Sequence, residues 1–192
     1  MTTATEFLKA AETLAHGDTE GHWRRAVSTA YYCAFHCLVE SAVVVIFAHP
    51  EAQRRARGWF EHREMSAVAH AFSSAPEPPG AAQPTEEQLI SYYKRLETWK
   101  AGVKKYELTT APSAPVRQLA KIFVSLQLRR QAADYFRPEG QPQHVQRTVA
   151  HQMVNEARRF CDLVDACAKA ADPDYVALVS EMLRASVKDH RR

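Results

Sequence analysis

The sequence lacks the features that mark several common enzyme classes. It contains only six glycines, and none of them belongs to a glycine-rich phosphate loop or to a nucleophile elbow. Its histidines, among them His62, His70 and His151, form no His-Glu-x-x-His motif. These absences argue against P-loop nucleotide hydrolysis, classical esterase chemistry and zinc hydrolysis, so we predict no metal and no cofactor.

Secretion and membrane signals are also missing. The stretch MTTATEFLKAAETLAHGD lacks the basic and then apolar build of a signal peptide, and the longest apolar run, SAVVVIF, is too short to cross a bilayer. We therefore expect a cytoplasmic protein with no membrane partner. Cys33, Cys37, Cys161 and Cys167 all lie in segments with helical spacing, so we expect reduced thiols in the core.

The sequence also has no large excess of positive or negative charge. The formal net charge is +3 and the isoelectric point is near 8.7, which is too mild to establish nucleic-acid binding. Basic pairs do recur, for example at Arg24-Arg25 and Arg129-Arg130. For any single pair, a solvated surface is the ordinary interpretation.

No alternating strand pattern persists, whereas apolar residues recur three and four positions apart, as helices require. The sequence therefore predicts an all-α fold, an antiparallel helical bundle of six to seven helices. The second helix is predicted from about Gly21 to Phe47, ahead of the His49-Pro50 pair. Later breaks predict helices from Pro115 to about Phe136, from Pro142 through Ala171, and after Asp172-Pro173.

One region has the character of an insertion into this bundle. After a shorter predicted helix, EHREMSAVAHAF, the segment SSAPEPPGAAQPT is rich in proline and small residues, which predicts a loop. Thr85 and Gln88 have capping-box spacing and predict the start of another helix. The prediction is a single domain over 1–192 with an inserted loop and helix at 74–112.

The second predicted helix carries a polar stripe on an otherwise apolar surface. At about 100° per residue, Arg25, Tyr32 and His36 fall within roughly 20° of one another. Ser28 and Glu40 lie beside that line. Such a stripe must meet water or polar partners.

The helix predicted after Pro115 shows a matching anomaly. Arg130 projects from an apolar stripe, and Asp134 lies one turn further on. Because an unpaired guanidinium in a core is costly, Arg130 must pair with an acidic group such as Asp134 or Glu40, or open onto a cleft. Two interpretations stay open: the two stripes form a shared cleft, or they form an internal hydrogen-bonded network without activity.

These same residues carry a resemblance to a known family. RRAVSTAYYCAFH, from Arg24 to His36, resembles the Arg-Ala-x-Ser-x-Ala-Tyr-Tyr-x-x-Phe-His stretch of HEPN domains. LRRQAADYF resembles the Leu-Arg-x-x-x-Ala-Asp-Tyr stretch on a later core helix of many of them, and VAHQMVNEARRFCDLV is similar to their closing helix. The likeness runs from about Glu6 to Ala171, without the proline-rich loop and the Thr85 to Tyr106 helix.

The resemblance implies an all-helical protein that commonly forms a homodimer and is often encoded beside a small nucleotidyltransferase, as a toxin and antitoxin pair. Active relatives are metal-independent ribonucleases, in which an arginine and a histidine act on RNA in a cleft at the dimer interface. By position, Arg130 matches the signature arginine, with Arg129 adjacent.

The sequence departs from this family at the signature histidine. About four to six residues after Arg130, where the histidine is expected, the chain has Asp134 and Tyr135 nearby and no histidine. A literal match from Arg137 to His144 exists, but it runs through PEGQP, which cannot be helical and fixes no geometry.

Metal-free RNA cleavage needs a base, an acid and a cation for the developing phosphate charge. His36 titrates in the right range, and Arg25 or Arg130 can supply the cation. We therefore predict binding of RNA or a nucleotide in a polar cleft, with His36 and Arg130 as catalytic candidates for a metal-independent endoribonuclease. The predicted binding residues are Arg25, Tyr32, Arg129, Asp134 and Tyr135.

An alternative function comes from a different class. It is a non-catalytic partner whose helical surface docks a nucleotidyltransferase or another protein. The neighbouring gene and a co-purification test distinguish the two hypotheses.

Overall fold

The structure, a computed structural model, describes residues 3–75, 80, 85–108, 110–134 and 145–189. Within these ranges it contains eight α-helices, one short 3₁₀ turn and no strand. The all-α prediction is confirmed, whereas the predicted count of six to seven helices is too low. The helices are α1 (Thr3–Ala15), α2 (Glu20–Ile46), α3 (Pro50–Ala56), α4 (His62–Phe72), α5 (Glu86–Lys105), α6 (Ala114–Asp134), α7 (Arg147–Lys169) and α8 (Pro173–Asp189).

Helix α2 is the centre of the structure, and α1, α6 and α7 pack against it. Thr19 caps its N-terminus by accepting a hydrogen bond from the backbone N–H of His22. Small buried residues along α2 allow the neighbouring helices to approach closely, and Tyr31 and Leu38 fill the remaining space. Both polar stripes of the sequence therefore lie at the boundary of one common core.

A tight turn brings α1 back along α2. Gly17 is required there, because a Cβ at this position would lie 2.5 Å from the His22 side chain. The indole N–H of Trp23 donates to the Gly17 carbonyl oxygen at 2.8 Å. This turn places Phe7 of α1 against Tyr32 and His36 of α2.

Several helix boundaries differ from the prediction. The short helix α3 and the 3₁₀ turn Arg57–Trp59 were not predicted, because seven and three residues are too few to show helical periodicity. The predicted start of a helix at Pro142 is wrong, since α7 begins at Arg147; Pro142 itself lies outside the described residues.

The predicted helix caps agree with the structure more closely than the predicted helix boundaries do. The capping box of Thr85 and Gln88 is present in full at the start of α5. Asp172 Oδ1 accepts from the backbone N–H groups of Asp174 and Tyr175, so α8 begins at Pro173 as predicted. Ala171, with φ of 48°, adopts the left-handed conformation that ends α7.

The inserted helix α5 lies on the outside of the molecule. It packs against α4, none of its residues is buried, and the indole N–H of Trp99 donates to the Ser73 carbonyl oxygen at 3.0 Å. Gly102 permits this packing, because a Cβ there would lie 3.0 Å from the Ala71 side chain. Ile90 and Tyr93 project into solvent.

By length and composition, α2 also qualifies as a membrane span. Its most apolar 18-residue window has a mean hydropathy of 1.5, which the SAVVVIF run alone does not reveal, and half of that window is buried inside the structure. The core helix of a soluble protein passes the same test. The central position of α2 among α1, α6 and α7 accounts for its apolar composition.

Candidate functional site

The polar residues of α2 and α6 meet where the two helices pack together. The hydroxyl of Ser28 donates to Asp134 Oδ1, and Arg130 Nε donates to Asp134 Oδ2 at 2.7 Å. Arg130 Nη2 donates to the hydroxyl oxygen of Tyr32 at 3.2 Å. Of the two acidic partners that the sequence offered to Arg130, the structure therefore pairs it with Asp134. We call Ser28, Tyr32, Arg130 and Asp134 the arginine cluster.

The guanidinium of Arg130 is fixed on several sides. Its central carbon lies 5.6 Å from the Tyr31 ring centroid and 5.4 Å from that of Tyr32, so both rings hold the cation through their faces. Burial lowers the pKa of Arg130, but the Tyr32 and Asp134 oxygens outweigh that effect and raise it overall. The side chain keeps 21% of its surface exposed. Arg130 is thus a permanently charged group held in one position at the protein surface.

An open groove of about 490 Å³ runs beside the arginine cluster. It includes two predicted binding residues of α2, Arg25 and Tyr32, together with Asp134 of α6. The Arg25 side chain is exposed, and within the described part of the chain its guanidinium has no hydrogen bond or ion pair. The groove is lined by Gly21, Arg24, Arg25, Ser28, Tyr32, Ala133 and Asp134.

Arg24 is a groove residue that the sequence interpretation missed. Its Nη1 donates to the Ala133 carbonyl oxygen at 2.8 Å, and its Nε donates to Glu20 at 2.9 Å. The bond to Ala133 occupies a carbonyl near the end of α6, where carbonyl groups lack partners within the helix. The only signal for Arg24 in the sequence was its position next to Arg25.

His36 lies apart from the groove, although it shares a helix face with Tyr32. Its ring stacks on Phe7 of α1, with centroids 5.0 Å apart and planes 5° from parallel, and meets the edge of Phe35. Burial lowers the pKa of His36, and Glu40 partly offsets that shift. The imidazole is therefore neutral at physiological pH, and Phe7 covers one of its faces.

His62, at the first position of α4, is a second histidine near the arginine cluster. Its Nδ1 shares a hydrogen bond of 2.7 Å with the Tyr31 hydroxyl, and its ring stacks on Phe35 at 3.8 Å. Burial, followed by the charges of Arg130 and His36, lowers the pKa of His62 to about 4. No local pattern in the sequence pointed to His62, because its partner Tyr31 lies 31 residues away.

Of the remaining predicted site residues, the structure describes Arg129 but not Tyr135. Arg129 is exposed, and among the described residues it has no hydrogen bond or ion pair. Tyr135, and the literal match from Arg137 to His144, lie outside the described residues. In the part of the chain that the structure describes, no group of histidine, cysteine and acidic side chains is arranged to hold a metal ion.

The arrangement is suited to holding a phosphate more than to transferring a proton. Arg25 offers an uncompensated cation at the groove, Arg130 a fixed one beside it, and Tyr32 an aromatic ring at the groove wall. Guanidinium groups bind phosphate oxygens through paired N–H donors, and aromatic rings stack on bases. The neutral imidazole of His36 lies one helical turn from Tyr32 and stacks on Phe7.

Comparison of this chain with protein-family profiles, with curated proteins and with solved structures finds no match in any of the three.

Proposed function

We propose that this chain is a HEPN-like helical protein that binds the phosphate groups of single-stranded RNA or of a nucleotide in the groove between α2 and α6. The observation that supports this function best is the open groove itself, in which Arg25 is exposed and has no partner among the described residues. Tyr32 and Asp134, which line the same groove, both bind Arg130.

The charge of the groove favours an anion. Asp134 neutralises Arg130, and Glu20 pairs with Arg24, which leaves the charge of Arg25 without compensation among the described residues. An anion that reaches Arg25 also approaches the Tyr32 hydroxyl at the wall of the groove. RNA supplies both the phosphate for Arg25 and a base that can stack on Tyr32.

Metal-independent RNA cleavage is the narrower form of this proposal. His36 is its candidate base, since the pKa of His36 is lowered by burial, and Arg130 is its candidate cation. His36 does not line the groove, and Phe7 covers one face of its ring, so cleavage requires bound RNA to extend beyond the groove to His36. The homodimer and the toxin and antitoxin pairing rest on the resemblance of Arg24 to His36 to HEPN domains.

Binding is tested by fluorescence anisotropy of a labelled single-stranded RNA at several salt concentrations. We expect Arg25→Met and Arg130→Met each to weaken binding on the order of ten-fold, and Arg25→Met to reduce the salt dependence by about one counterion. Arg159→Met is the matched control, because Arg159 is an exposed arginine on α7. Unchanged affinity in both groove variants would show that the cluster is an internal network only.

Cleavage is tested with the purified chain, single-stranded RNA and a chelator of divalent metals. We expect His36→Ala and Arg130→Ala each to abolish cutting. His49→Ala serves as the control, because His49 is exposed and its side chain makes no capping hydrogen bond. Unimpaired cleavage by both variants would remove the ribonuclease assignment while leaving the binding proposal to its own test.

Docking of a nucleotidyltransferase is the second candidate function, and the exposed helix α5 favours it. Ile90 and Tyr93 are 60% and 58% exposed on a helix that packs against α4. Isolated exposed apolar residues are common, but two within one turn of a helix that has no buried residue offer an anchor for a partner. Co-purification with the product of the neighbouring gene tests this function, and its loss in Ile90→Ser with Tyr93→Ser would assign the surface.

A further inference from the structure

A second groove lies on the other side of α2, between α1, α2 and α7, and it contains three of the four cysteines. Cys33 and Cys37 come from α2, and Cys161 comes from α7. The groove is open and has a volume of about 640 Å³. The prediction of core thiols is confirmed for Cys33 and Cys167, which are buried, and in part for Cys37 and Cys161, which pack against the core but are half-buried beside this groove.

Two of these thiols are close enough to react with each other. The sulfur atoms of Cys33 and Cys161 lie 3.8 Å apart, although the residues are separated by 128 positions in the chain. A disulfide has a sulfur to sulfur distance of about 2.05 Å, so rotation of the side chains must close the remaining gap. Cys37, one helical turn after Cys33, lines the same groove.

The position of Cys161, across from Cys33 and on the wall of the open groove, favours it as the reactive member of the pair. Its hydrogen bond with the Cys33 thiol lowers the pKa of Cys161 and outweighs the opposing effect of burial. A thiolate is the nucleophilic form of cysteine. Cys161 is also half-buried rather than fully buried, and it lines the open groove, so a small reagent can reach its sulfur.

We propose that Cys161 and Cys33 form a redox-sensitive pair, which a small hydroperoxide oxidises to a disulfide that joins α7 to α2. The proposal does not depend on the arginine cluster, since the two grooves share no lining residue. Its functional consequence is a covalent link between the central helix and α7.

The chemistry balances in two steps. The Cys161 thiolate attacks one oxygen of the hydroperoxide, the O–O bond breaks, and the leaving oxygen takes a proton to give water or an alcohol. The resulting sulfenic acid at Cys161 is then attacked by the Cys33 sulfur; the S–O bond breaks, and hydroxide leaves with the Cys33 proton as water. Two thiols lose two electrons, and the hydroperoxide gains them.

The full chain contains its own control thiol. Cys167 lies on α7, as Cys161 does, but it is buried, does not line the groove, and has its pKa raised by burial. At neutral pH we expect an alkylating reagent to modify Cys161 on the order of ten-fold faster than Cys167 in the folded protein. Equal rates for the two would overturn the role of Cys161 as the attacking thiol.

The direct test is oxidation of the folded chain with one equivalent of hydrogen peroxide, followed by alkylation of the remaining thiols and mass spectrometry. We expect the loss of two hydrogen atoms per chain and a cross-linked peptide that contains Cys33 and Cys161. Retention of four free thiols would overturn the proposal, as would a bridge between chains or a bridge that includes Cys167.

Variants separate the roles of the two cysteines. Cys161→Ser should abolish the bridge, whereas Cys167→Ser should form it as the unmodified chain does. In Cys33→Ser, Cys161 should still be oxidised, as a sulfenic acid trapped by dimedone or as a bridge to Cys37. A Cys161 that stays reduced in Cys33→Ser would contradict its assignment, and circular dichroism of each variant checks that the fold is intact.

Discussion

The two sides of α2 differ in the kind of polar group that they present to the neighbouring helices. Towards α6, the helix presents Ser28 and Tyr32, whose hydroxyl groups bind Asp134 and Arg130. Towards α7, it presents the thiols Cys33 and Cys37 to a groove that both apolar and polar side chains line, and the Cys33 sulfur lies 3.8 Å from that of Cys161. A single helix can therefore build a fixed ionic site and a soft, oxidisable one, because residues on opposite faces have different neighbours.

This difference separates interactions that fix a side chain in position from interactions that leave a side chain open to reaction. The arginine cluster is rigid because each group has a hydrogen-bond partner of opposite charge or matching polarity. The thiols are held mainly by packing, and weak S–H hydrogen bonds leave their sulfur atoms available to a reagent. The four predictions below test whether the two sides respond independently, from the largest expected effect to the smallest.

Phe160→Ala should destabilise the core that supports both grooves. Phe160 is fully buried on α7, and its ring centroid lies 5.8 Å from that of Phe123 on α6, so it belongs to the core that both grooves share. Loss of such a side chain leaves a cavity and costs about 3–5 kcal/mol of unfolding free energy, measured by urea denaturation. Leu128→Ala, at a position that is 55% exposed on α6, should change stability by less than about 0.5 kcal/mol.

Arg130→Met should affect one side only. The substitution leaves Asp134 with the Ser28 hydroxyl as its remaining partner and removes the donor to Tyr32, at a cost of about 1–3 kcal/mol in unfolding free energy. The rate of Cys161 alkylation should stay unchanged, because the thiol groove contains no residue of α6. Lys121→Met on α6 is the control for removal of an exposed charge, and altered thiol reactivity in Arg130→Met would show that the two sides are coupled.

Acidification should lower the unfolding free energy of the protein, because His62 on the α6 side of α2 becomes protonated. The folded-state pKa of His62 is lowered from 6.5 to about 4, so the neutral ring is the one that fits the fold. Its stabilising contribution is fully present above pH 6.5 and is lost as pH falls through about 4. Since the ring is only half-buried, we expect this loss to be on the order of 1–2 kcal/mol in urea denaturation at a series of pH values.

A His62→Gln variant identifies the source of that pH dependence. Glutamine keeps a polar side chain beside the Tyr31 hydroxyl but does not titrate. The stability of the variant should therefore fall less than that of the unmodified chain between pH 6.5 and 4. An equal fall in the two proteins would assign the effect to other groups, and His49→Gln, at an exposed position, provides the comparison.

The smallest effect is expected for the ion pair between Arg158 of α7 and Glu12 of α1. Its guanidinium and carboxylate lie 2.6 Å apart, but the side chains are 50% and 38% exposed, so water screens their attraction. Arg158→Ala should cost no more than about 0.5 kcal/mol. A cost as large as that of Arg130→Met would show that exposure does not explain the difference between the two ion pairs.

Much of the local structure could be predicted from the sequence. The cap at Thr19, the capping box at Thr85 and the start of α8 after Asp172 depend on side chains within a few residues of the backbone groups that they bind. The polar stripe of α2 followed from helical geometry alone. Shorter or less regular segments failed, because α3 is too short to show a period and the region before α7 offered Pro142 as a misleading start signal.

The site was only half predictable for the same reason. Arg130 and Asp134 are four residues apart on one helix, so their pairing could be anticipated, whereas the bond from Ser28 to Asp134 spans 106 positions. His62 lies near the arginine cluster only because α4 packs near Tyr31. His36 was expected at the cleft and instead stacks on Phe7, because α1 folds back over that part of α2.

The sequence by itself determined that this chain is helical, where most of its helices begin, and which of their faces are polar, because these properties arise from contacts within about one or two helical turns. Only the tertiary structure decided that Arg130 would lie beside an open groove and that Cys161 would lie against Cys33. Those outcomes depend on how each helix is rotated against its neighbours, and that rotation is set by the packing of many side chains from distant parts of the chain.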